Sequence, residues 1–424
     1  MAKSTVGAFV VPALLVVCLA RTATTQEYCS ACHASNAMLR RLAPDSAAAE
    51  RVRVDPSHYA HSVHGAAGIT CTTCHRDIAS VPHDAAQPVA CGRCHADAAR
   101  DLAASVHGRP FNGSGAVPAT CADCHTSHDI LHPTDPASSV YRMTQFEICA
   151  TCHSDAERMA TFGQENTEMV RTYLHSVHGR GLLAKGLTVA PVCTDCHGIG
   201  GEAHRIEQVA DSVSPMNRDG VADACGRCHV GVRNQWARGV HGREFTTGNR
   251  DVPTCTDCHG EHAVSAITDT SSGVFPTHVA RTCAACHDRE DLNEKYDLPT
   301  ARAASFRGSF HGVALASGEL TVANCESCHG AHEIRPSSDS LSTINPNNLV
   351  ATCGRCHPGI GSGVSMGRVH VTSVREDINT LAWIIQWFYA LIVGGIVLYG
   401  AALIALDQYR HRVVDPRRKG HHDG

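Results

Sequence analysis

Eleven times between Cys29 and His357 the chain sets two cysteines three positions apart with a histidine directly after the second. The first copies are Cys29 and Cys32 with His33, Cys71 and Cys74 with His75, Cys91 and Cys94 with His95, and Cys121 and Cys124 with His125. Cys149 and Cys152 with His153, Cys193 and Cys196 with His197, and Cys225 and Cys228 with His229 follow. The last are Cys255 and Cys258 with His259, Cys283 and Cys286 with His287, Cys325 and Cys328 with His329, and Cys353 and Cys356 with His357. Two thiols at this spacing reach the two vinyl-derived arms of one porphyrin, and a histidine fixed just beyond the second is held beneath the iron. Chance placement at this Cys and His content would give on the order of 0.1 copies. Every cysteine except Cys18 is used. Zinc ribbons need paired knuckles and no obligatory histidine, redox C-x-x-C pairs occur once per domain, and disulfides leave the eleven histidines unexplained. The expected cofactor is haem c, eleven copies covalently attached.

A second set of histidines has its own period. Ser62-Val63-His64-Gly65, Ser105-Val106-His107-Gly108, Ser176-Val177-His178-Gly179, Gly239-Val240-His241-Gly242 and Ser309-Phe310-His311-Gly312 each precede a haem motif. A further histidine, His83, His128, His204, His262 or His332, then precedes another. The unit of His-Gly, haem, His, haem runs five times, with one extra motif at Cys29 and one extra histidine, His370, after Arg368-Val369. Eleven candidate distal ligands therefore face eleven motif histidines, and if each iron takes one of each, no coordination position stays open for a substrate. Methionine does not recur in the repeat. His58, His61, His132, His175 and His278 stay unassigned, and His58 or His61 is an alternative to His64. His128, His262 and His332 follow a motif histidine by three residues, a reach of at most about 10 Å, too short to round the macrocycle. They must serve a neighbouring haem, so consecutive haems are stitched together by the backbone. Which distal histidine serves which iron is left open by the sequence.

The elements that must position these groups are few. Aromatic residues make up 5% of the chain and Gly numbers 36, a poor basis for an apolar core in 424 residues. A net charge of -5 gives no basic field for nucleic acid. The expected fold is mostly α and irregular, a haem-stacked array with little or no β-sheet plus one transmembrane helix. Segments such as Ala96 to Ser105 and Asp288 to Phe310 read as short helices. Residues 1–23 read as a signal peptide, with Lys3 before an apolar run and cleavage after Ala20 or Ala23; Leu15-Val16-Val17-Cys18 only loosely suggests a lipoprotein box, and a retained anchor is the alternative. Residues 24–375 form the undecahaem domain, with repeats at about 55–100, 101–160, 170–235, 236–290 and 305–360. Thr380 to Leu406 carries no charged side chain and, at 1.5 Å per residue, extends about 40 Å, enough to span a bilayer. Arg410, Arg412, Arg417, Arg418 and Lys419 in the tail 407–424 outweigh Arg368 and Arg375 before the span. The tail is then cytoplasmic and the haem domain lies on the periplasmic side of the cytoplasmic membrane.

These residues resemble the multihaem c-type cytochromes, specifically the cytochrome c3-like class of doubled C-x-x-C-H units. They share its Ser-Val-His-Gly element and its Cys-His-Gly-x-His element, here Cys258-His259-Gly260-Glu261-His262 and Cys328-His329-Gly330-Ala331-His332. The resemblance covers residues 29 to 370. It departs at His370, followed by Val371 rather than Gly, and at His204, seven residues after His197. It implies bis-histidine haems and electron transfer. The expected partners are redox proteins and the membrane, with an integral quinol-oxidising or quinone-reducing subunit. Electron transfer is favoured over catalysis. The alternatives are a reductase or oxidase of small nitrogen or sulfur compounds with one open haem, although no C-x-x-C-K occurs, and a filament-forming extracellular cytochrome.

Overall fold

The computed structural model describes residues 25–111, 117–363, 369–370 and 380–414. The signal-peptide reading at 1–23 lies outside them, as do Arg368, Arg375, Arg417, Arg418 and Lys419. Apart from one long helix near the C-terminus, the α-helices are four to nine residues long, and the one strand-like pairing among the described residues is an isolated bridge between Gly198 and Ile206. The described residues thus form a helical array without sheet, plus one long apolar helix.

Two compact units are present. One comprises the chain to Leu174 together with His178–Asn217 and carries six C-x-x-C-H motifs; the other comprises His175–Val177 and the chain from Arg218 onward and carries five. Neither has an ordinary core. Among the described residues fifteen apolar side chains are buried, four of them alanine, and the least exposed side chains after Leu182 are serines: Ser62, Ser105, Ser176, Ser214 and Ser342. The hydroxyls of Ser62, Ser105 and Ser342 donate to the carbonyls of Tyr59, Ile206 and Arg335 and so mark where the backbone is fastened.

Ser62 and Ser309 open the short helices that carry His64 and His311. The Ser62 hydroxyl donates to Tyr59 O at 2.7 Å and accepts from Gly65 N at 3.0 Å; Ser309 does the same with Phe306 O and Gly312 N. The glycine has a steric cause. A Cβ on Gly65, Gly108, Gly179, Gly242 or Gly312 would stand 1.9 to 2.3 Å from the carbonyl oxygen six residues earlier. The His-Gly helix is folded tightly against its predecessor, and no side chain fits between them.

The same segments dock onto the chain beyond the second kind of histidine. Val63 N donates to Ile130 O (2.8 Å), Val106 N to Ile206 O (2.9 Å), Val177 N to Val264 O (2.8 Å) and Val240 N to Ile334 O (2.7 Å). Gly239 stands where other repeats have serine, because a Cβ there would lie 2.8 Å from His332 O. Ion pairs reinforce two of these junctions: Arg109 with buried Glu207, and Arg238 with Glu333 at 2.7 Å.

A third repeat escaped the sequence reading. Asp135, Asp211, Asp269 and Asp339 each begin a run of three-residue turns through buried Ser138, Ser214, Ser272 and Ser342, the serine N–H bonding the aspartate carbonyl at 2.9 to 3.0 Å. The expected loops are therefore ordered, and each run leads into a motif-bearing helix. Ala96–Ala104 is helical as expected, with Ser105 as its C-cap. The stretch 288–310 is instead divided into Glu290–Lys295, Arg302–Arg307 and the start of Phe310–Ala316. Positive φ at Asp297 (50°) and Ala301 (57°), around Pro299, stops one helix and turns the chain into the next.

The apolar segment forms a helix over Thr380–Tyr409, longer than the uncharged run, followed by a wider turn at Arg410–Val414. Its mean hydropathy reaches 2.2, and Leu391, Ile396, Leu398 and Tyr399 are all exposed. It is long and apolar enough to cross a membrane and has no face buried against the rest of the described chain.

Gly312→Ala is expected to destabilise the holoprotein by about 1–3 kcal/mol through overpacking. Gly231→Ala, in an exposed helix with nothing within 4 Å of the new Cβ, should stabilise by about 0.5–1 kcal/mol. Thermal unfolding followed by circular dichroism checks both; equal losses would contradict the steric account.

Candidate haem-attachment and axial-ligand sites

The C-x-x-C-H motifs occupy two alternating kinds of helix. Cys71–Cys74, Cys121–His125, Cys193–His197, Cys255–His259 and Cys325–His329 begin on the first cysteine. In three of them the residue before the second cysteine caps the helix backward: Asp123, Asp195 and Asp257 accept the N–H of Thr120, Val192 and Thr254 at 2.6 to 2.7 Å. Those hydrogen bonds, from the hydroxyl and then the N–H of Thr120, hold the Asp123 carboxyl below its ordinary range. In the other kind, at Thr25–His33, Gln145–His153 and Val279–His287, the motif ends the helix.

Guanidinium groups join one kind to the other. Arg142, on the segment entering Gln145–His153, donates to the Asp195 carboxylate at 2.7 Å and to Ala190 O at 2.9 Å. Arg218, entering Val221–Gly226, reaches Asp257 at 3.2 Å and Val252 O at 2.6 Å. A hydrogen bond from the Asn324 side-chain amide to Pro276 O, 3.4 Å, takes the same position in the last such pair. The leading thiols of these paired motifs meet, Cys149 with Cys193, Cys225 with Cys255 and Cys283 with Cys325, as do Cys29 with Cys71 and Cys91 with Cys121. No disulfide links any of the motif cysteines.

In several motifs the two thiols differ in exposure. Of the leading thiols Cys91 alone is exposed, and the others, Cys353 included, are half-buried. Of the second thiols, Cys74, Cys94, Cys124, Cys228 and Cys356 are exposed, and Cys32, Cys152, Cys196, Cys258, Cys286 and Cys328 are half-buried. Three residues are nearly one helical turn, so the second sulfur lies on the same side of the helix as the first but beyond the meeting point of the leading thiols. Their backbones also differ by motif. The carbonyls of Cys32, Cys152 and Cys286 close the helix end, accepting from Ser35 N, Asp155 N and Arg289 N at 2.9 to 3.1 Å. Cys94, Cys228 and Cys356 instead donate their N–H to the carbonyl of the leading cysteine at 3.2 to 3.3 Å, a tighter three-residue turn. Cys196 stands inside the capped helix Cys193–His197. Across repeats, Cys74 faces Cys91 and Cys94, Cys124 faces Cys152, Cys258 faces Cys286, and Cys328 faces Cys353 and Cys356; burial and these neighbouring sulfurs push the Cys74, Cys124, Cys258 and Cys328 thiols up.

The histidines come together in pairs. His33 faces His83, His75 faces His128, His95 faces His64, His125 faces His204 and His153 faces His107, with ring centroids 5.9 to 6.2 Å apart. In the second unit His259 faces His332, His287 faces His241, His329 faces His370 and His357 faces His311, at 6.0 to 6.3 Å. Two metal–imidazole bonds of about 2.0–2.1 Å, plus a ring radius at each end, separate ring centres by about 6 Å. Each pair has the span needed to hold one iron between its rings. Among the described residues no group of three or more His, Cys, Asp or Glu side chains is placed to hold a metal ion by itself.

Proton positions agree with this role. His33 Nδ1 lies 2.7 Å from Val52 O and His83 Nδ1 lies 2.7 Å from Asp84 O. A carbonyl only accepts, so Nδ1 carries the proton and Nε2 keeps the lone pair that a metal requires. Burial lowers the affinity of many of these rings for a second proton. It does so for His107, His125, His128, His153, His259 and His332, and takes His241, beside the His287 ring, to about 4. His75 and His153 each leave a buried Nδ1 with no hydrogen-bond partner.

The arrangement follows a rule that sequence reasoning missed. Motifs that begin a helix place their histidine opposite His128, His204, His332 or His370. Three motifs that follow a turn or end a helix place His95, His153 and His287 opposite His-Gly residues, as does His357 opposite His311, whereas His33, which ends its helix, faces His83. His128 and His332 sit across from His75 and His259, and not from the motif histidines three residues before them. His204 and His370, which depart from the sequence pattern, occupy equivalent places to the rest. Of the three histidines at the first repeat, His64 faces His95 while His61 Nδ1 is 2.6 Å from Ser57 O. His132 and His278 contact Thr134 Oγ1 and Ser272 O, each at 2.8 Å. His197, His229, His178 and His262 complete the two sequence sets.

Comparison with known proteins agrees with the geometry. Residues 63–154, holding four of the motifs and His64, His83, His107 and His128, match the cytochrome c3 family model. Over 206 residues the chain is 23% identical to the cytochrome c-type protein NrfB of Escherichia coli O6:H1, covering 47% of this chain and 97% of that protein. No solved structure matches.

The crossed pairing has a direct test. His332→Ala and His370→Ala should each produce one high-spin ferric haem per chain, and the double variant two, by electron paramagnetic resonance. One high-spin haem in the double variant would mean that both residues serve the same iron.

Proposed function

We propose, from the premise that this chain is a multihaem c-type cytochrome, that it carries electrons along eleven bis-histidine haems between a membrane partner and redox proteins outside the cytoplasmic membrane. The observation that carries the reading is the set of nine histidine pairs 5.9 to 6.3 Å apart. With His197, His229, His178 and His262 added, the ligands suffice for eleven irons. The attached haem supplies one-electron exchange between ferric and ferrous iron. The protein's part is to hold. The motif cysteines would attach the haems and the paired imidazoles would ligate their irons, while the junctions at Val63–Ile130 and Val240–Ile334 fix one pair relative to the next. A site with both axial positions filled binds no substrate at iron, which favours transfer over catalysis.

The helix Thr380–Tyr409 supports membrane attachment, and the basic residues from Arg410 onward support a cytoplasmic tail with the haem domain on the periplasmic side. His370 lies ten residues before that helix, which favours an electron exchange near the membrane surface with a quinol-oxidising or quinone-reducing integral subunit.

The intact mass of the purified full-length protein should equal the mature chain plus eleven haems. Removing Thr380 to Leu406 should abolish quinol-dependent reduction in membranes while leaving dithionite reduction of the haems unchanged. Undiminished quinol-dependent reduction would overturn the membrane partner.

A further inference from the structure

We propose that the haem chain is graded in potential, with the haem held by His33 and His83 the lowest of the nine described pairs and the haem held by His107 and His153 the highest. The inference rests on the ligand pairs proposed above and adds to them an order.

Two independent features of the pairs set this order. The first is hydrogen bonding at Nδ1. An imidazole that donates Nδ1–H to a main-chain carbonyl becomes a stronger donor at Nε2 and stabilises the ferric state more than the ferrous state, lowering the potential. Of the nine pairs, His33 and His83 are the one in which both rings make this bond, each at 2.7 Å. His370 has a weaker version: its Nδ1 lies 2.9 Å from the Ser305 hydroxyl, which itself donates to Arg302 O. At the other extreme the Nδ1 of His153 is buried by protein without an acceptor, so its ring is a poorer donor to iron.

The second feature is the angle between the rings. Near-parallel imidazoles donate π density into the same iron orbital, which raises its energy and favours ferric iron. Near-perpendicular rings divide that donation between two orbitals and relieve the effect. The rings of His33 and His83 are 14° from parallel, the smallest angle of the nine; those of His107 and His153 are at 73°, the largest. Bonding and angle therefore push the first pair down and the other up. An electron arriving at the haem nearest the N-terminus would run downhill toward the haem held by His107 and His153.

The test uses the full-length holoprotein in a potentiometric titration, comparing the natural sequence with His83→Met. Methionine raises the potential of the haem it ligates. The lowest component of the natural protein should disappear and return at least tenfold more readily reduced, about 59 mV for one electron. Disappearance of a middle or high component instead would overturn the order while leaving the ligand pair intact. If no component moved and the haems kept their bis-histidine spectrum, the pairing of His33 with His83 would fall, and the order with it. A second measurement needs no variant. Perpendicular rings give a low-spin ferric resonance with an unusually large principal g value, and near-parallel rings a rhombic one. During reductive titration the large-g signal should vanish first and a rhombic signal last; persistence of the large-g signal to the end would overturn the proposal.

Discussion

Everything in this molecule answers to one distance. Two imidazoles that share an iron must stand about 6 Å apart, centre to centre, and the chain reaches that spacing at nine places, four of them within one repeat and five with residues that do not share a repeat. Few apolar side chains are buried, so the fold cannot be understood as a hydrophobic core that happens to bind cofactors. The backbone is instead a harness. Its glycines, buried serines and capping carboxylates matter because each brings a histidine or a cysteine pair to its place.

The harness is built from local chemistry repeated. Serine hydroxyls close the His-Gly turns, and the glycines admit a carbonyl where a Cβ would collide. Aspartates between the cysteines cap the attachment helices, while Arg142 and Arg218 tie those helices to the segments feeding their neighbours. Glu333, held to about 2 by Arg238 and Arg335, fastens the chain on either side of His241 and His332. Such pairs at an exposed surface contribute little energy each. Their value here is directional, since they fix which segments meet.

Much of this was legible in the sequence, for physical reasons that differ from residue to residue. The C-x-x-C-H motifs are legible because thioether attachment is local, and the Thr380 to Leu406 run because a bilayer demands length and the absence of charge. The inability of His128 and His332 to reach back to the iron three residues away follows from chain dimensions alone. The rings they face, those of His75 and His259, were not legible, because no spacing rule selects among several histidines within reach. The difference between a leading thiol such as Cys225 and a second one such as Cys228 was hidden too, since it depends on which motif packs alongside. The Asp-x-x-Ser turns went unread because serine in a polar stretch looks like surface, although Ser214 and Ser342 are 2% exposed. The short helices expected over 288–310 are present, but their divisions at Asp297 and Ala301 were not legible, since no glycine announces the left-handed backbone there.

The central claim is that every iron is closed on both sides by histidine. Low-temperature electron paramagnetic resonance with spin quantitation on the fully oxidised full-length protein, followed by carbon monoxide addition after dithionite reduction, tests it most directly. The account predicts eleven low-spin ferric haems per chain and no carbon monoxide spectrum; one high-spin haem per chain, or a stoichiometric carbon monoxide adduct, would contradict it.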